Sequence, residues 1–188
     1  MTRILMTIGP QGAGKSTFCE SLMSDNIDGV AYANRDRFLV GRYGDAAWDP
    51  YSGAMHYGMK EFWKHVAHLA SQNRIVLLES FCPNQSHFSD LQCSISLETN
   101  WSDITLEYQA LWFTTPDHVC AEWYVKRELK AEQTAQQRKW SLSSARNASE
   151  IFRTSTREMI QNFETVWHID PRQLTLFPYS EILGLRVP

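Results

Sequence analysis

The residues best suited to chemistry lie near the N-terminus, in the segment 9–17, which matches the pattern G-x-x-x-x-G-K-[ST] in full. Glycines in such a loop let backbone N–H groups curl around a phosphate without side-chain clash. The lysine reaches the β- and γ-phosphates of a nucleotide, and the hydroxyl that follows it ligates Mg²⁺. The pattern therefore predicts that ATP is bound with Mg²⁺, that Ser16 is the metal ligand, and that the binding residues are Gly9, Gly12, Ala13, Gly14, Lys15, Ser16 and Thr17.

The elements on either side of this phosphate loop support the interpretation. Residues 3–8 are an apolar run that ends at Gly9, as a buried parallel strand would. Residues 16–24 follow as a helix with apolar side chains on one face, and its N-terminus adds a favourable partial charge for a phosphate. The alternative is a chance match in a glycine-rich turn, and the flanking strand and helix argue against it.

A second polar group, 34–37, directly follows the apolar run 30–33, which is predicted to be the next strand. In a parallel sheet the end of that strand faces the same crevice as the phosphate loop. Asp36 is then placed to accept a proton from an attacking hydroxyl, and Arg37 or Arg42 to hold a phosphate of the acceptor. The alternative makes Asp36 a turn or cap residue among solvated charges, and spacing alone does not decide between the two.

The stretch from Thr7 to Phe38, with its phosphate loop and its Asn-Arg-Asp motif, resembles the kinase domain of phage-type polynucleotide 5′-kinases. The resemblance implies ATP-dependent phosphorylation of a 5′-hydroxyl on DNA or RNA, so that the partner is a nucleic acid with a 5′-hydroxyl end. It also implies that Lys15 and Ser16 act on the nucleotide and that Asp36 is the general base. Beyond Phe38 only the order of elements agrees, and the wider group includes zeta-toxin-like and other small P-loop kinases.

Two positions depart from that family. The family carries an arginine for the acceptor phosphate three residues after its base, where this chain has Leu39. Its third strand ends in Ser-Asp-Thr-Asn, whereas residues 78–81 here are Leu-Glu-Ser-Phe. A nucleoside, a nucleotide or a sugar conjugate therefore stays open as the acceptor. Glu79 resembles a carboxylate that orients Mg²⁺ through water, although buried strands also end in acids without any function.

A helix is predicted to begin with Thr115 as its N-cap and Pro at its first position, and to place Trp123 in the core. Arg127 occupies a position that resembles the family's lid arginine, which implies that it stabilises charge on the transferring phosphoryl group. The alternative is a solvated helix end, where basic residues are favoured by the helix dipole. The polar stretch 127–146 is predicted to be a lid, with Arg138 as its second candidate arginine.

Apolar runs and helical periodicities alternate along the whole chain, which predicts an α/β fold: a P-loop NTPase-type, mostly parallel sheet flanked by helices. At 188 residues the chain fits one domain, 1–188. Further strands are predicted at 75–78 and 104–113, further helices at 52–71, 86–97 and 149–167, and an edge strand at 174–177.

Composition and charge restrict the function classes. The net charge of −3 gives no global attraction to nucleic acid, so such a substrate would need a local basic patch. The guanine-specific pattern N-K-x-D is absent, which argues against a GTPase, whereas a nonenzymatic nucleotide-binding module stays open. The four cysteines lack zinc spacing and fit reduced thiols, so we expect a cytoplasmic protein. No segment approaches membrane-spanning length, and no stable protein partner is inferred.

Overall fold

A computed structural model describes residues 1–44, 53–80, 82–99, 104–128, 135–176 and 179–184. Within these ranges five strands form one sheet, and every neighbouring pair of strands is parallel. The strands are β1 (Thr2–Ile8), β2 (Val30–Asn34), β3 (Ile75–Glu79), β4 (Leu106–Phe113) and β5 (Val166–Ile169). Their order across the sheet is β2-β3-β1-β4-β5, so β3 lies between the first two strands of the sequence. The predicted parallel α/β sheet is confirmed.

Helices cover both faces of the sheet, as a parallel sheet requires. They are α1 (Lys15–Ser24), α2 (Arg35–Tyr43), α3 (Gly53–Gln72), α4 (Gln85–Thr99), α5 (Asp117–Glu128), α6 (Ala135–Ile160) and α7 (Tyr179–Leu183), with a 3-10 helix at Pro171–Leu176. None of the helices in the described part of the chain is long and apolar enough to span a membrane.

Alternate residues of β1 face two separate apolar layers, as the two-residue period of a strand dictates. Ile4, Met6 and Ile8 pack in one layer with buried side chains of α3, α4 and α6. Leu5 belongs to the other layer, which includes Phe18 of α1 and buried side chains of α5 and α7. Burial of these side chains fixes β1 in the sheet, and with it the start of the phosphate loop.

The C-terminal third of the chain differs from prediction. The last long helix was expected at 149–167, but α6 runs from Ala135 to Ile160, and Val166 and Trp167 belong to β5. Apolar residues at 159, 163 and 166 continue a helical spacing, yet Val166–Ile169 pair with β4 instead. An edge strand was predicted at 174–177, but residues 174–176 belong to a 3-10 helix, Pro171–Leu176, and residue 177 lies outside the described part of the chain.

The predicted lid, 127–146, also contains regular structure. Its residues 135–146 form the first part of α6, and its residues 129–134 lie outside the described part of the chain. A polar helix of this kind lacks the apolar stripe that sequence periodicity detects, which is why its start was missed. Whether the segment acts as a lid stays a prediction.

Candidate active site

The phosphate loop links β1 to α1 and requires glycine at two positions. Gly12 and Gly14 have φ angles of 76° and 87°, a region that side chains other than glycine rarely adopt. A β-carbon on Gly12 would lie 2.1 Å from the carbonyl oxygen of Cys120, and one on Gly14 would lie 2.9 Å from Pro171 Cγ. The loop is therefore pressed against α5 on one side and against the chain after β5 on the other, which fixes its curvature.

Hydrogen bonds from Thr115 and from Arg153 also hold the phosphate loop in place. Thr115 Oγ1 donates to the carbonyl of Ala13 at 2.9 Å, and both residues are fully buried. Thr115 was expected to cap α5, but that helix begins at Asp117, and the Thr115 hydroxyl donates to the phosphate loop instead. Arg153 of α6 donates in turn to the Thr115 carbonyl and, at 2.6 Å, to Asp117 Oδ1. These bonds tie the loop to α5 and α6.

Lys15 folds back over the loop. Its Nζ donates to the carbonyls of Gly9 and Pro10, each at 2.8 Å. Burial lowers the pKa of Lys15, and the positive charge of Arg127 adds to this, whereas the carboxylate of Glu79 opposes it. An ammonium group has three donors, so a bound phosphate could take the third and then compete with the carbonyls for the other two.

Four polar side chains meet at the ends of β2 and β3, and we call them the Glu79 cluster: Ser16, Tyr32, Asn34 and Glu79. Ser16 Oγ donates to Glu79 Oε1 at 2.7 Å. The other carboxylate oxygen, Oε2, accepts from the Tyr32 hydroxyl and, at 2.9 Å, from Asn34 Nδ2. Burial raises the pKa of Tyr32, so the phenol keeps its proton and stays a donor. Glu79 thus receives a hydrogen bond from each of its three neighbours.

The Glu79 cluster fits a magnesium ion. Mg²⁺ prefers oxygen ligands and is usually bound by one or two protein groups together with substrate phosphates and water. Ser16 Oγ and Glu79 Oε1 are two such oxygens, 2.7 Å apart, and both line the same cleft as the phosphate loop. The predicted metal ligand and the predicted metal-orienting carboxylate are therefore adjacent.

Asp36 lies at the start of α2. Asn34 caps this helix, because its Oδ1 accepts from the backbone N–H of Arg37 at 2.9 Å. Asp36 is exposed, and its Oδ1 accepts from Arg35 Nε at 2.8 Å and Nη2 at 2.5 Å. The strong helix cap explains why α2 begins within a segment that reads as a run of solvated charges.

One cleft of about 1250 Å³ contains the phosphate loop, the start of α2 and Glu79. Asp36 therefore shares a cavity with Lys15 and Ser16, as expected for residues that follow the ends of parallel strands. Helix α6 also lines the cleft, with side chains that are small or apolar and include Ser144, Ala148 and Phe152. The part of α6 from 141 to 155 thus lies along the cavity that holds the phosphate loop.

The predicted acceptor arginines occupy different surroundings. Arg37 lines the cleft, but its guanidinium pairs with Glu20. Arg42 is exposed in the last turn of α2 and is not among the residues that line the cleft. Leu39 is buried on the core side of α2, so this position cannot present a side chain to an acceptor. Sequence reasoning missed Arg35, which lines the cleft beside Asp36 and could have been found from its place in the Asn-Arg-Asp motif.

Helix α5 contributes two further residues to the cleft. Arg127 lines it, with its guanidinium carbon 5.6 Å from the centre of the Tyr124 ring. Trp123 was expected in the core, but 39% of it is exposed and it lines the cleft near Gly14. The helix turns this side chain outward because Cys120 and Val125 occupy the buried face. The side chain of Arg138 lies outside the described part of the structure, so its role stays a prediction.

Comparison with known proteins gives a family match and several structural similarities. A family model described as RNA helicase matches residues 5–96, a stretch that contains the phosphate loop, Asp36 and Glu79. Among curated proteins, none is significantly similar to this sequence.

Several solved structures are similar to this one. A chain of the Pnkp1/Rnl/Hen1 RNA repair complex superposes with a TM-score of 0.61 at 16% identity, over 84% of this chain and 46% of that chain. A fungal RNA kinase superposes with a TM-score of 0.50 at 11% identity, over 89% of this chain and 74% of that chain. Shikimate kinase from Bacteroides thetaiotaomicron superposes with a TM-score of 0.59 at 13% identity, over 98% of this chain and 99% of that chain.

The present chain spans less than half the length of the RNA repair-complex chains it matches, 46% and 42%. It spans nearly the full length of the shikimate kinase. These similarities, the five-stranded parallel sheet and the phosphate loop after β1 agree on one architecture. The chain has the fold of the P-loop kinases.

Proposed function

We propose that this chain is a Mg·ATP-dependent kinase that transfers the γ-phosphate to a hydroxyl, and that the acceptor is the 5′-hydroxyl end of a polynucleotide. The observation that carries the proposal is the single cleft shared by Lys15, Ser16 and Asp36. A group that binds the donor phosphates and a group able to accept the acceptor's proton must face the same space for phosphoryl transfer.

The donor side follows from the phosphate loop. Backbone N–H groups of the loop and the N-terminus of α1 would bind the β-phosphate, and Lys15 would exchange its bonds to Gly9 and Pro10 for phosphate oxygens. Ser16 and Glu79 would hold Mg²⁺, which neutralises charge on the β- and γ-phosphates when bound. Arg127, which lines the cleft, would stabilise charge on the transferring group.

On the acceptor side, Asp36 would accept the proton of the attacking hydroxyl. The hydroxyl oxygen forms a bond to the γ-phosphorus, the bond from the γ-phosphorus to the bridging oxygen breaks, and ADP leaves. Both bonds from Arg35 go to Oδ1 of Asp36, so Oδ2 is the oxygen placed to take the proton. Arg35 would hold the carboxylate in this orientation.

The polynucleotide acceptor is supported by the Asn-Arg-Asp motif and by the similarity to an RNA repair complex and an RNA kinase. The family model described as RNA helicase also favours RNA. A small-molecule acceptor is the second candidate, and the charges in the cleft favour it. Arg35 and Arg37 are paired with Asp36 and Glu20, which reduces the positive charge available to a nucleic-acid backbone.

The test is transfer of label from γ-labelled ATP with Mg²⁺ to 5′-hydroxyl oligonucleotides of DNA and RNA, beside nucleosides, nucleotides and a sugar nucleotide. We expect label on the oligonucleotides. Asp36→Asn should keep ATP binding and lose transfer, whereas Asp90→Asn, an exposed position on α4, should change neither.

The other outcomes are equally informative. Label on a small molecule alone would keep the mechanism and replace the acceptor. Tight ATP binding without label on any acceptor would contradict the kinase and favour a nonenzymatic nucleotide-binding module.

A further inference from the structure

The carboxylate of Glu79 is oriented by groups that the phosphate-loop motif does not include. Its Oε1 accepts a hydrogen bond from Ser16 Oγ at 2.7 Å, which leaves the lone pairs of the Ser16 hydroxyl available to a metal. Its Oε2 is bound by Tyr32 and by Asn34. With both donors on Oε2, rotation of the carboxylate away from Ser16 would break two hydrogen bonds, so the Ser16 contact is maintained.

Asn34 uses both ends of its amide. Its Nδ2 donates to Glu79 Oε2 and to the Tyr32 hydroxyl, each at 2.9 Å, and its Oδ1 accepts from the backbone N–H of Arg37 at 2.9 Å. The bond from Arg37 caps α2, the helix that carries Asp36. One side chain therefore connects the carboxylate beside the phosphate loop to the helix that holds the proposed base.

The sheet makes these contacts possible. Asn34 and Glu79 are directly paired in the register of β2 and β3, at the ends of both strands. Tyr32 lies two residues earlier on β2, so its side chain leaves the same face of the sheet as that of Asn34. The Tyr32 ring packs against a buried apolar layer of the sheet while its hydroxyl reaches Glu79.

We propose that Tyr32 and Asn34 are positioning residues for the metal: they hold Glu79 on Ser16, and Asn34 couples this arrangement to the helix that carries Asp36. The proposal rests on the proposed function for the roles of Glu79 and Asp36. Groups that hold metal ligands through hydrogen bonds commonly change metal affinity by about 10- to 100-fold when they are removed.

The first experiment measures the affinity of the full chain for Mn²⁺ in the presence of ADP, from the electron paramagnetic resonance signal of free Mn²⁺. Tyr32→Phe removes the hydroxyl and keeps the ring, so we expect roughly tenfold weaker Mn²⁺ binding. The matched control is Tyr108→Phe, which removes a phenol hydroxyl from β4 of the same sheet, outside the cleft. It should bind Mn²⁺ like the wild type.

A second pair of variants separates the two ends of Asn34. Asn34→Ser keeps a good helix cap but is too short to reach Glu79, so it should weaken Mn²⁺ binding with little change in thermal stability. Asn34→Leu removes both functions and should lower the melting temperature as well. The double variant, Tyr32→Phe with Asn34→Ser, should also be measured. Its fold-loss of Mn²⁺ affinity should differ from the product of the two single fold-losses, because both residues bind the same carboxylate oxygen.

The outcomes distinguish this proposal from the kinase proposal. If Tyr32→Phe binds Mn²⁺ as tightly as the wild type while Glu79→Gln binds it more weakly, Glu79 holds its place without Tyr32 and the positioning role is refuted. If Glu79→Gln is also unchanged, the cluster does not serve the metal and the proposal fails with it. If Tyr32→Phe weakens Mn²⁺ binding but no acceptor is ever labelled, the positioning role stands and the kinase is contradicted.

Discussion

The bond from Thr115 to the phosphate loop leads to a prediction that can be worked through quantitatively. Thr115→Val replaces the hydroxyl by a methyl group of similar size at a fully buried position, and it removes the donor to the Ala13 carbonyl, which is also buried. A buried acceptor that loses its partner costs about 1–3 kcal/mol. We expect the free energy of unfolding to fall by that amount.

The same hydroxyl should also affect ligand binding, because it holds the loop in the curvature that a phosphate needs. Wild-type protein at an ADP concentration 100 times its Kd gains about 2.7 kcal/mol of stability from the ligand. If the variant binds ADP tenfold more weakly, its gain at the same concentration falls to about 1.4 kcal/mol. Urea denaturation with and without ADP measures both effects in one assay.

The matched control is Thr156→Val. Thr156 is equally buried, but its hydroxyl donates within α6 to the Phe152 carbonyl at 2.8 Å. Removing this hydroxyl therefore takes no hydrogen bond away from the phosphate loop. This variant should gain as much stability from ADP as the wild type. The reasoning would be refuted if Thr115→Val lost no more stability than Thr156→Val, or if the two variants gained equally from ADP.

Two further predictions concern the same loop. Gly12→Ala should abolish ADP binding in a calorimetric titration, because the added β-carbon would collide with the Cys120 carbonyl and the φ of 76° is unfavourable for alanine. The control is Gly41→Ala, where an added β-carbon would have no neighbour within 4 Å, and this variant should bind ADP normally. The pKa of Lys15 is lower in the folded chain than its ordinary value of 10.5. At pH values between the folded pKa and 10.5, the unfolded chain therefore binds more protons than the folded chain. The free energy of unfolding should then rise with pH as Lys15 loses its proton. Urea denaturation at a series of pH values below 10.5 should show this rise as a difference between the wild type and Lys15→Met, and equal slopes in the two proteins would contradict it.

The phosphate loop could be predicted from the sequence because all its determinants are local. The glycines, Lys15 and Ser16 lie within one short segment, and the strand and helix beside it have clear patterns. The closeness of Asp36 to the loop was also predictable, because it follows from a rule about where parallel strands end. These expectations needed no knowledge of which strands are neighbours.

The Glu79 cluster could not be predicted as a unit. Tyr32 and Asn34 contact Glu79 because β3 lies beside β2, and this order of strands is a property of the whole sheet. Thr115 was predicted as a helix cap, since its local sequence fits one, but its contact with Ala13 spans 102 positions in the chain. Contacts of this kind depend on packing that no local pattern reports.

Two other errors have the same origin in local patterns. Trp123 has an apolar ring and was assigned to the core, although the buried face of α5 is already filled by other side chains. Val166 continued the spacing of the helix before it, but pairing with β4 supplies backbone hydrogen bonds that the spacing cannot reveal. In both cases tertiary packing overrides a correct local signal.

The position of β3 between β1 and β2 has a consequence for how the protein folds. β1 and β2 follow each other in the chain but are not neighbours, so β2, which pairs with β3, has no partner until residues 75–79 lie between the two strands. Long-range pairing of this kind is slow, because the chain must close a large loop before any contact rewards it. Ser16, Asn34 and Glu79 meet only at that step, so metal-dependent nucleotide binding during refolding would report the arrival of β3.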